Sequence, residues 1–345
     1  MTKQKKKGKG LKIFVIVLAA IVAFMVTINV IPPKKSVENN PFVVAEGELP
    51  MIAAHRGGRI ENPENTMLAF REAVNTLDVD IIESDLWLTK DGYLVFNHDE
   101  TVDRTSNVNG DISWKDWQEL NKEERVEHKI SDMTLEELLN LNFGYQFEDK
   151  DSHERIYKDK TMEEVRELGL QITTVDQLFE EFYESNPDLK FIVEIKNGGE
   201  MGYKACKILS DTLDKYPEYK DQLVIGTFHD EIEEELKTQY PDLMRGAPTG
   251  TAAKFIITQF LGVNIFDNGN FACLQIPTAF DLKVINLELD KKTLIDRAHR
   301  RNIAVQYWTI NEADEMRELI ELDCDCIMTD DPVLLKQVLD KYKNK

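Results

Sequence analysis

Two histidines, two arginines and an alternating pair of carboxylates are gathered in one short stretch of this chain. They fall in His55-Arg56-Gly57, Glu64-Asn65-Thr66, Glu83-Ser84-Asp85 and His98-Asp99, with Arg104 just behind. Far downstream, Val193-Glu194-Ile195-Lys196 repeats the i, i+2 spacing. On a strand, residues two apart point to the same face, so Glu83 shares a face with Asp85, and Glu194 with Lys196. Three carboxylates form an oxygen donor set suited to a hard divalent cation, Ca²⁺ or Mg²⁺. Such acids repel one another, so a cation is needed to hold them together. Arg56 can take a phosphate through two parallel hydrogen bonds, and Lys196 adds a point charge. His55 and His98 carry imidazoles that titrate near neutrality and can divide the roles of base and acid. The set describes metal-assisted cleavage of a phosphodiester.

Each piece also has a plainer reading. A His-Arg pair at a strand end can be structural, Glu-x-Asp can be a solvated face, and Asn65-Thr66 can simply support a helix start. The joint occurrence of one polar group per strand end favours the chemical reading. The apolar neighbours Ile81, Ile82, Leu86 and Leu88 would also bury the acids of a barrel strand. Trp308, in Tyr307-Trp308-Thr309-Ile310-Asn311, suits either a core position or a substrate-facing wall. His128, His153, His229 and His299 lie in charged or helical contexts and receive no role.

The elements that position these groups alternate. Strand patterns at 51–55, 80–88, 190–196, 222–228, 243–247, 271–276, 304–310 and 326–329 alternate with helical patterns at 64–76, 174–184, 202–215, 231–239, 252–261, 291–301, 312–321 and 332–342. A further strand at 93–97 follows the second after only Thr89-Lys90-Asp91-Gly92. A parallel crossover needs a dozen or more residues, so this piece must fold back antiparallel. A turn centred on Asp91 sets residue 85 opposite 97 and returns His98 to the level of Asp85. Eight βα units predict an α/β fold, a (β/α)₈ barrel whose reactive groups sit where strands end. The runner-up is a doubly wound open sheet, weakened because no Gly-x-Gly-x-x-Gly follows the first strand. Residues 105–172 break the rhythm and predict a loop-and-helix insertion over the barrel mouth.

The chain has 345 residues and a net charge of −21. That balance argues against a nucleic-acid partner, which needs Lys and Arg to neutralise phosphates. An anionic substrate must therefore be captured by a local positive site. Residues 1–12 form a basic tail, and Ile13–Ile31 form a run in which only Thr27 and Asn29 are polar. This matches the roughly 20 apolar residues that cross a bilayer. Six lysines before the run, against Lys34 and Lys35 just after it, predict a cytoplasmic N-terminus. The expected protein is thus a single-pass protein of the cell membrane with an extracytoplasmic domain. A cleaved signal peptide is the competing reading, but its apolar region is shorter and ends in a small-x-small site. Residues 32–48 read as a short tether and 49–345 as the catalytic domain. The four cysteines fit buried small hydrophobes, with a disulfide of Cys206 or Cys273 as the alternative.

With these residues in place, the chain resembles the glycerophosphodiester phosphodiesterase family, of membrane-anchored bacterial type. The resemblance is carried by His55-Arg56-Gly57, Pro63-Glu64-Asn65-Thr66, Glu83-Ser84-Asp85, Thr89-Lys90-Asp91-Gly92, His98-Asp99 and Arg104-Thr105. It continues in Glu194-Ile195-Lys196, Trp308-Thr309-Ile310-Asn311 and Met328-Thr329-Asp330-Asp331-Pro332, and so spans nearly all of the chain beyond the apolar run. It implies a metal held by Glu83, Asp85 and Glu194, and His55 and His98 as the acid–base pair. Arg56 and Lys196 would contact the phosphate, with Asn65 and Trp308 completing the substrate site. The implied reaction is hydrolysis of a small or lipid-derived glycerophosphodiester to glycerol 3-phosphate and an alcohol. Either a glycerol hydroxyl attacks first, giving a cyclic phosphate, or water attacks directly. The resemblance is poor over 105–172, where substrate preference would be set. Two alternatives remain: a phospholipase-like barrel acting on lipid headgroups, and a non-catalytic surface binding protein. The first lacks an obvious apolar lipid-docking loop beyond 255–263, and the second predicts lost catalytic residues, of which none is missing.

Overall fold

The structure is a computed structural model that describes residues 5–262, 269–281 and 286–343. The ends of the basic tail and of the 255–263 run, residues 1–4 and Val263, lie outside the described residues. The predicted (β/α)₈ barrel is present. Its strands are β1 (Met51–His55), β2 (Ile81–Leu88), β4 (Lys190–Ile195), β5 (Leu223–Gly226), β6 (Met244–Arg245), β7 (Cys273–Ile276), β10 (Ala304–Tyr307) and β11 (Cys326–Thr329). They pair in parallel in the order β6-β5-β4-β2-β1-β11-β10-β7. The ring closes between β6 and β7 through Ala272 N to Arg245 O and Ala247 N to Cys273 O, both 2.8 Å. Strand β3 (Leu94–Phe96) pairs antiparallel with β2, with Leu86 opposite Phe96 and Leu88 opposite Leu94. That is the register expected from a turn at Asp91, and Asn97 N donates to Asp85 O at 3.0 Å. A small hairpin, β8 (Ala279–Asp281) with β9 (Asn286–Glu288), was not expected and follows β7.

Period-two alternation sorts the strand residues. Ile82, Leu86, Phe191, Val193, Leu223, Ile225, Val305 and Ile327 point outward into the main core beneath the helices. Ala53, Ile81, Ile192, Val224, Cys273, Ala304 and Cys326 point inward and fill the lower barrel. The four cysteines are buried and free. The first barrel helix begins at Met67, later than expected, because Thr66 caps it by accepting from Ala69 N. The 105–172 region carries helices Trp114–Glu119, Leu135–Leu139 and Met162–Leu168, and packs Ile130, Leu138, Phe143 and Ile172 against Val102 and against Val95 of β3.

Residues 32–48 do not hang free. Asn40 Nδ2 donates to Ala272 O at 2.8 Å and Asn302 O at 2.9 Å, and Val44 N donates to Asp325 Oδ1 at 2.8 Å. Phe42 is fully buried and stoppers the lower end of the barrel against the inward-pointing layer. The reason is geometric: small inward residues such as Ala53, Cys273, Ala304 and Cys326 leave a space that one aromatic ring fills. The segment is therefore a strap, not a loose tether. Phe42→Ala is expected to destabilise the protein by about 3–5 kcal/mol in a denaturant titration, whereas Glu46→Ala, on the exposed turn of the same strap, should leave the midpoint unchanged.

Candidate active site

His55 closes β1 at the C-terminal end of the barrel. Its Nδ1 lies 2.6 Å from Asp330 Oδ1, beyond the end of β11. Asp330 is itself held, since its Oδ2 accepts from Asn311 Nδ2 at 2.9 Å and its backbone N donates to Asn311 Oδ1 at 2.9 Å. This leaves His55 Nε2 facing Glu83 Oε2, 3.8 Å away. Burial opposes the charged form of His55, but the Asp330 hydrogen bond and the Glu83 charge outweigh it, and the imidazole titrates above its ordinary value. His98 is built alike. Its Nδ1 lies 2.7 Å from Asp99 Oδ1, and Asp99 Oδ2 accepts from Arg104 Nε at 2.6 Å. Each histidine therefore has one ring nitrogen fixed by a carboxylate and the other available.

Between them lie the acids. Glu83 and Asp85 are 7% and 3% exposed, deep enough that water cannot stabilise their charges. Burial first, then the Asp85 charge, pushes the Glu83 carboxyl up to about 7 against the counteracting His55. Register places Asp85 beside Glu194, and Lys196 Nζ bridges the two at 3.3 Å and 3.0 Å. Burial also raises the Glu194 carboxyl, with Lys196 opposing, and His98 is near enough for its charge to be felt there. Arg56 adopts a left-handed backbone (φ 53°) that turns the chain sharply after β1. Two glycines complete that turn, and a Cβ on Gly57 would come within 2.9 Å of Ala69 and Phe70. The guanidinium of Arg56 donates from Nη1 to Glu64 Oε1 at 3.2 Å, while its Nε stands 3.8 Å from Asp85 Oδ2.

Three buried polar atoms at this centre have no hydrogen-bond partner: Arg56 Nε, Asn65 Nδ2 and Asp85 Oδ2. Unsatisfied buried polar atoms are costly and rare, and here they cluster where a ligand would sit. Asn65 is held with φ 60°, and its Oδ1 accepts from Ser84 Oγ at 2.6 Å, which aims the amide nitrogen. The expected residues His55, Arg56, Asn65, Glu83, Asp85, His98, Glu194 and Lys196 are thus brought together. Trp308 stands just past β10 at the same end, 39% exposed, beside the cluster rather than bonded within it.

The sequence reading passed over three supporting carboxylates. Asp330 and Asp99 orient the histidines, and Glu64 joins the arginines, accepting from Arg104 Nη1 and Nη2 at 2.9 Å and 2.7 Å as well as from Arg56. An acid next to a candidate histidine was a readable signal for Asp99; nothing local marks Asp330 as the partner of a residue 275 positions away. A cleft of ≈ 380 Å³ adjoins the cluster at Glu64 and Arg104 and is walled by Arg59, Trp114, Phe143 and Phe147. The insertion therefore supplies the outer wall.

As to a metal, no ready-made cation cage of three or more ligands is present among the described residues. The donor set nonetheless fits one: three carboxylates, two of them raised by burial, and an unpartnered Asp85 oxygen, with the Lys196 ammonium now in the bridging position.

Residues 55–334 match the glycerophosphoryl diester phosphodiesterase family. The chain belongs to this family. It is accordingly an enzyme of the phosphodiesterase class. Among its relatives, a glycerophosphodiester phosphodiesterase of Caldanaerobacter subterraneus is 28% identical over 291 residues, covering 84% of this chain and 98% of that protein. The human lysophospholipase D GDPD1 is 26% identical over 309 residues, covering 84% of this chain and 86% of the relative. The fold is shared with an Oleispira antarctica phosphodiesterase solved in complex with the product sn-glycerol-3-phosphate, at a TM-score of 0.58 and 19% identity, over 85% of this chain and 97% of that one.

Glu64 generates a stability prediction. Burial opposes its ionisation, but Arg104, Arg56 and Arg59 more than reverse this and lower its carboxyl to about 2 from 4.5. A carboxyl depressed on folding stabilises the protein above the unfolded pKa and loses that contribution as pH falls through the folded one. The shift corresponds to about 3 kcal/mol. Glu64→Gln is expected to lower the urea midpoint at pH 6 and to flatten its decline between about pH 4.5 and 2.

Proposed function

We propose that this enzyme hydrolyses glycerophosphodiesters to glycerol 3-phosphate and an alcohol, with His55 and His98 as the acid–base pair. The observation that carries the reading is the pair of carboxylate-held imidazoles flanking a buried cluster of acids and cations. Arg56 and Lys196 receive the phosphate, and the unpartnered Nε of Arg56 and Nδ2 of Asn65 supply donors for its oxygens. Glu83, Asp85 and Glu194 would hold a divalent cation, Ca²⁺ or Mg²⁺. Bound there, it would neutralise charge on the phosphoryl oxygens.

The side chains divide the proton work. One imidazole accepts the proton of the attacking hydroxyl, from water or from the substrate's glycerol, through its available nitrogen. The other donates a proton to the departing alkoxide oxygen. Asp330 and Asp99 keep the tautomers and stabilise the imidazolium that forms. The alcohol portion occupies the cleft of Trp114, Phe143 and Phe147. The helix from Gly10 to Val30 is long and apolar enough to span a bilayer, and we read it as a single-pass anchor that leaves the barrel outside the cell.

A second reading, release of the headgroup of a lysophospholipid, is favoured by the similarity to human lysophospholipase D GDPD1. Phosphorus NMR of products from glycerophosphocholine and lysophosphatidylcholine separates the two. The proposal expects glycerol 3-phosphate from the first and little turnover of the second.

His55→Ala and His98→Ala are each expected to lower kcat by roughly 10²–10⁴-fold. Asp330→Asn should lower kcat with little change in KM and alter the limb of the pH–rate profile that reports His55. Full activity in either alanine variant would refute the acid–base assignment. Dialysis against a chelator should abolish turnover and added Ca²⁺ or Mg²⁺ restore it; unchanged activity would remove the metal from the proposal.

A further inference from the structure

The barrel has two ends, and the N-terminal segment is fastened to the one opposite the active site. His55, Glu194, Lys196, Trp308 and Asp330 lie at the C-terminal ends of their strands. The strap instead meets the loops that lead into the strands. Arg300 Nη2 donates to Asn29 O at 2.8 Å and Ile31 O at 3.2 Å. Arg301 Nε donates to Lys34 O at 3.3 Å, and Ser36 N donates back to Arg301 O at 2.7 Å. Asn29 Nδ2 donates to Gly262 O at 3.0 Å. Together with Asn40, Phe42 and Val44, these contacts leave no slack between the end of the apolar helix and β1. The helix therefore fixes which way the barrel faces.

Beside the helix end lies an apolar face that no described residue covers. The helix Thr249–Phe260 buries Phe255, Ile256 and Gln259 against the barrel. Ile257, Phe260 and Leu261 are 56%, 47% and 62% exposed, and their i, i+3, i+4 spacing puts them on one stripe. The stripe ends beside the N-terminal helix: Leu261 is followed by Gly262, on which a Cβ would stand 3.4 Å from Met25 Cε. Lys254 and Arg300 are exposed at its margin, and Arg297 approaches Gly262. In a chain of net charge −21, basic residues around an apolar stripe are the pattern of a membrane interface, where long cations reach the headgroups.

We propose that Ile257, Phe260 and Leu261 enter the headgroup region of the same bilayer that the N-terminal helix crosses, so that the barrel stands on its lower end with the active site opening away from that membrane. This rests on the anchor reading of the helix. Its consequence is for substrate access. His55 lies four residue steps, about 13 Å, along β1 from Met51, at the opposite end of the barrel. The enzyme then takes diesters arriving from the aqueous side, not headgroups of its own bilayer. Phe228, 68% exposed in the loop after β5, and Phe280, 51% exposed in strand β8 of the hairpin after β7, are the competing membrane contact.

Full-length chain carrying Phe260→Cys or Phe280→Cys, labelled with an environment-sensitive fluorophore and reconstituted in phosphatidylglycerol-containing vesicles, tests this. The native cysteines are buried, which keeps labelling selective. With lipids bearing a quencher near the headgroup, the label at 260 is expected to lose most of its emission and the label at 280 to keep it. Quenching at 280 but not at 260, or at neither in protein that stays with the vesicles after a carbonate wash, overturns the orientation. Protein that washes out of the vesicles instead overturns the anchor, and the proposal with it.

Discussion

The placement of Glu83 and Asp85 inside the mouth of a closed barrel is the constraint on which the rest of the site depends. Two carboxylates on one face of one strand, almost out of reach of water and next to Glu194, cannot all carry charge unless cations are brought to them. The structure supplies Lys196 between Asp85 and Glu194, Arg56 from above, and a protonatable His55 against Glu83. The same demand explains why an oxygen-binding metal suits the place and why a phosphate, once there, would find donors already aimed at it.

Those cations are in turn positioned from a second layer. Glu64 holds Arg56 and Arg104, Arg104 holds Asp99, and Asp99 holds His98. On the other side, Asn311 holds Asp330 and Asp330 holds His55. Each of these side chains thus has its orientation set by a partner carboxylate. Such layers of alternating charge lower the freedom of every member, which is what preorganised catalysis requires.

The lower end of the barrel follows a different logic. It is apolar within, stoppered by Phe42, and tied to the N-terminal helix by backbone carbonyls and arginines. Stability and the tie to the N-terminal helix are concentrated there, and the polar cluster lies at the other end, as βα barrels allow because their two sets of loops are independent.

Much of this was legible in the sequence. Alternation of strand and helix patterns, the two-residue period of Glu83/Asp85 and Glu194/Lys196, and the short turn at Asp91 are local signals, and local geometry converts them directly into the barrel, the shared faces and the β2–β3 register. Other features depended on residues distant in the chain. The pairing of His55 with Asp330, the ring of contacts around Glu64, and the bridging position of Lys196 arise only when parallel strands are set side by side in one register. The docking of residues 32–48 was not legible, because Pro-Pro and Asn-Asn composition describes a connection but not what it packs against. The sequence by itself determined which groups point together along each strand, because side-chain direction has a fixed period. Only the closed barrel decided which strands are neighbours, and so which carboxylate meets which cation and which end meets the N-terminal helix.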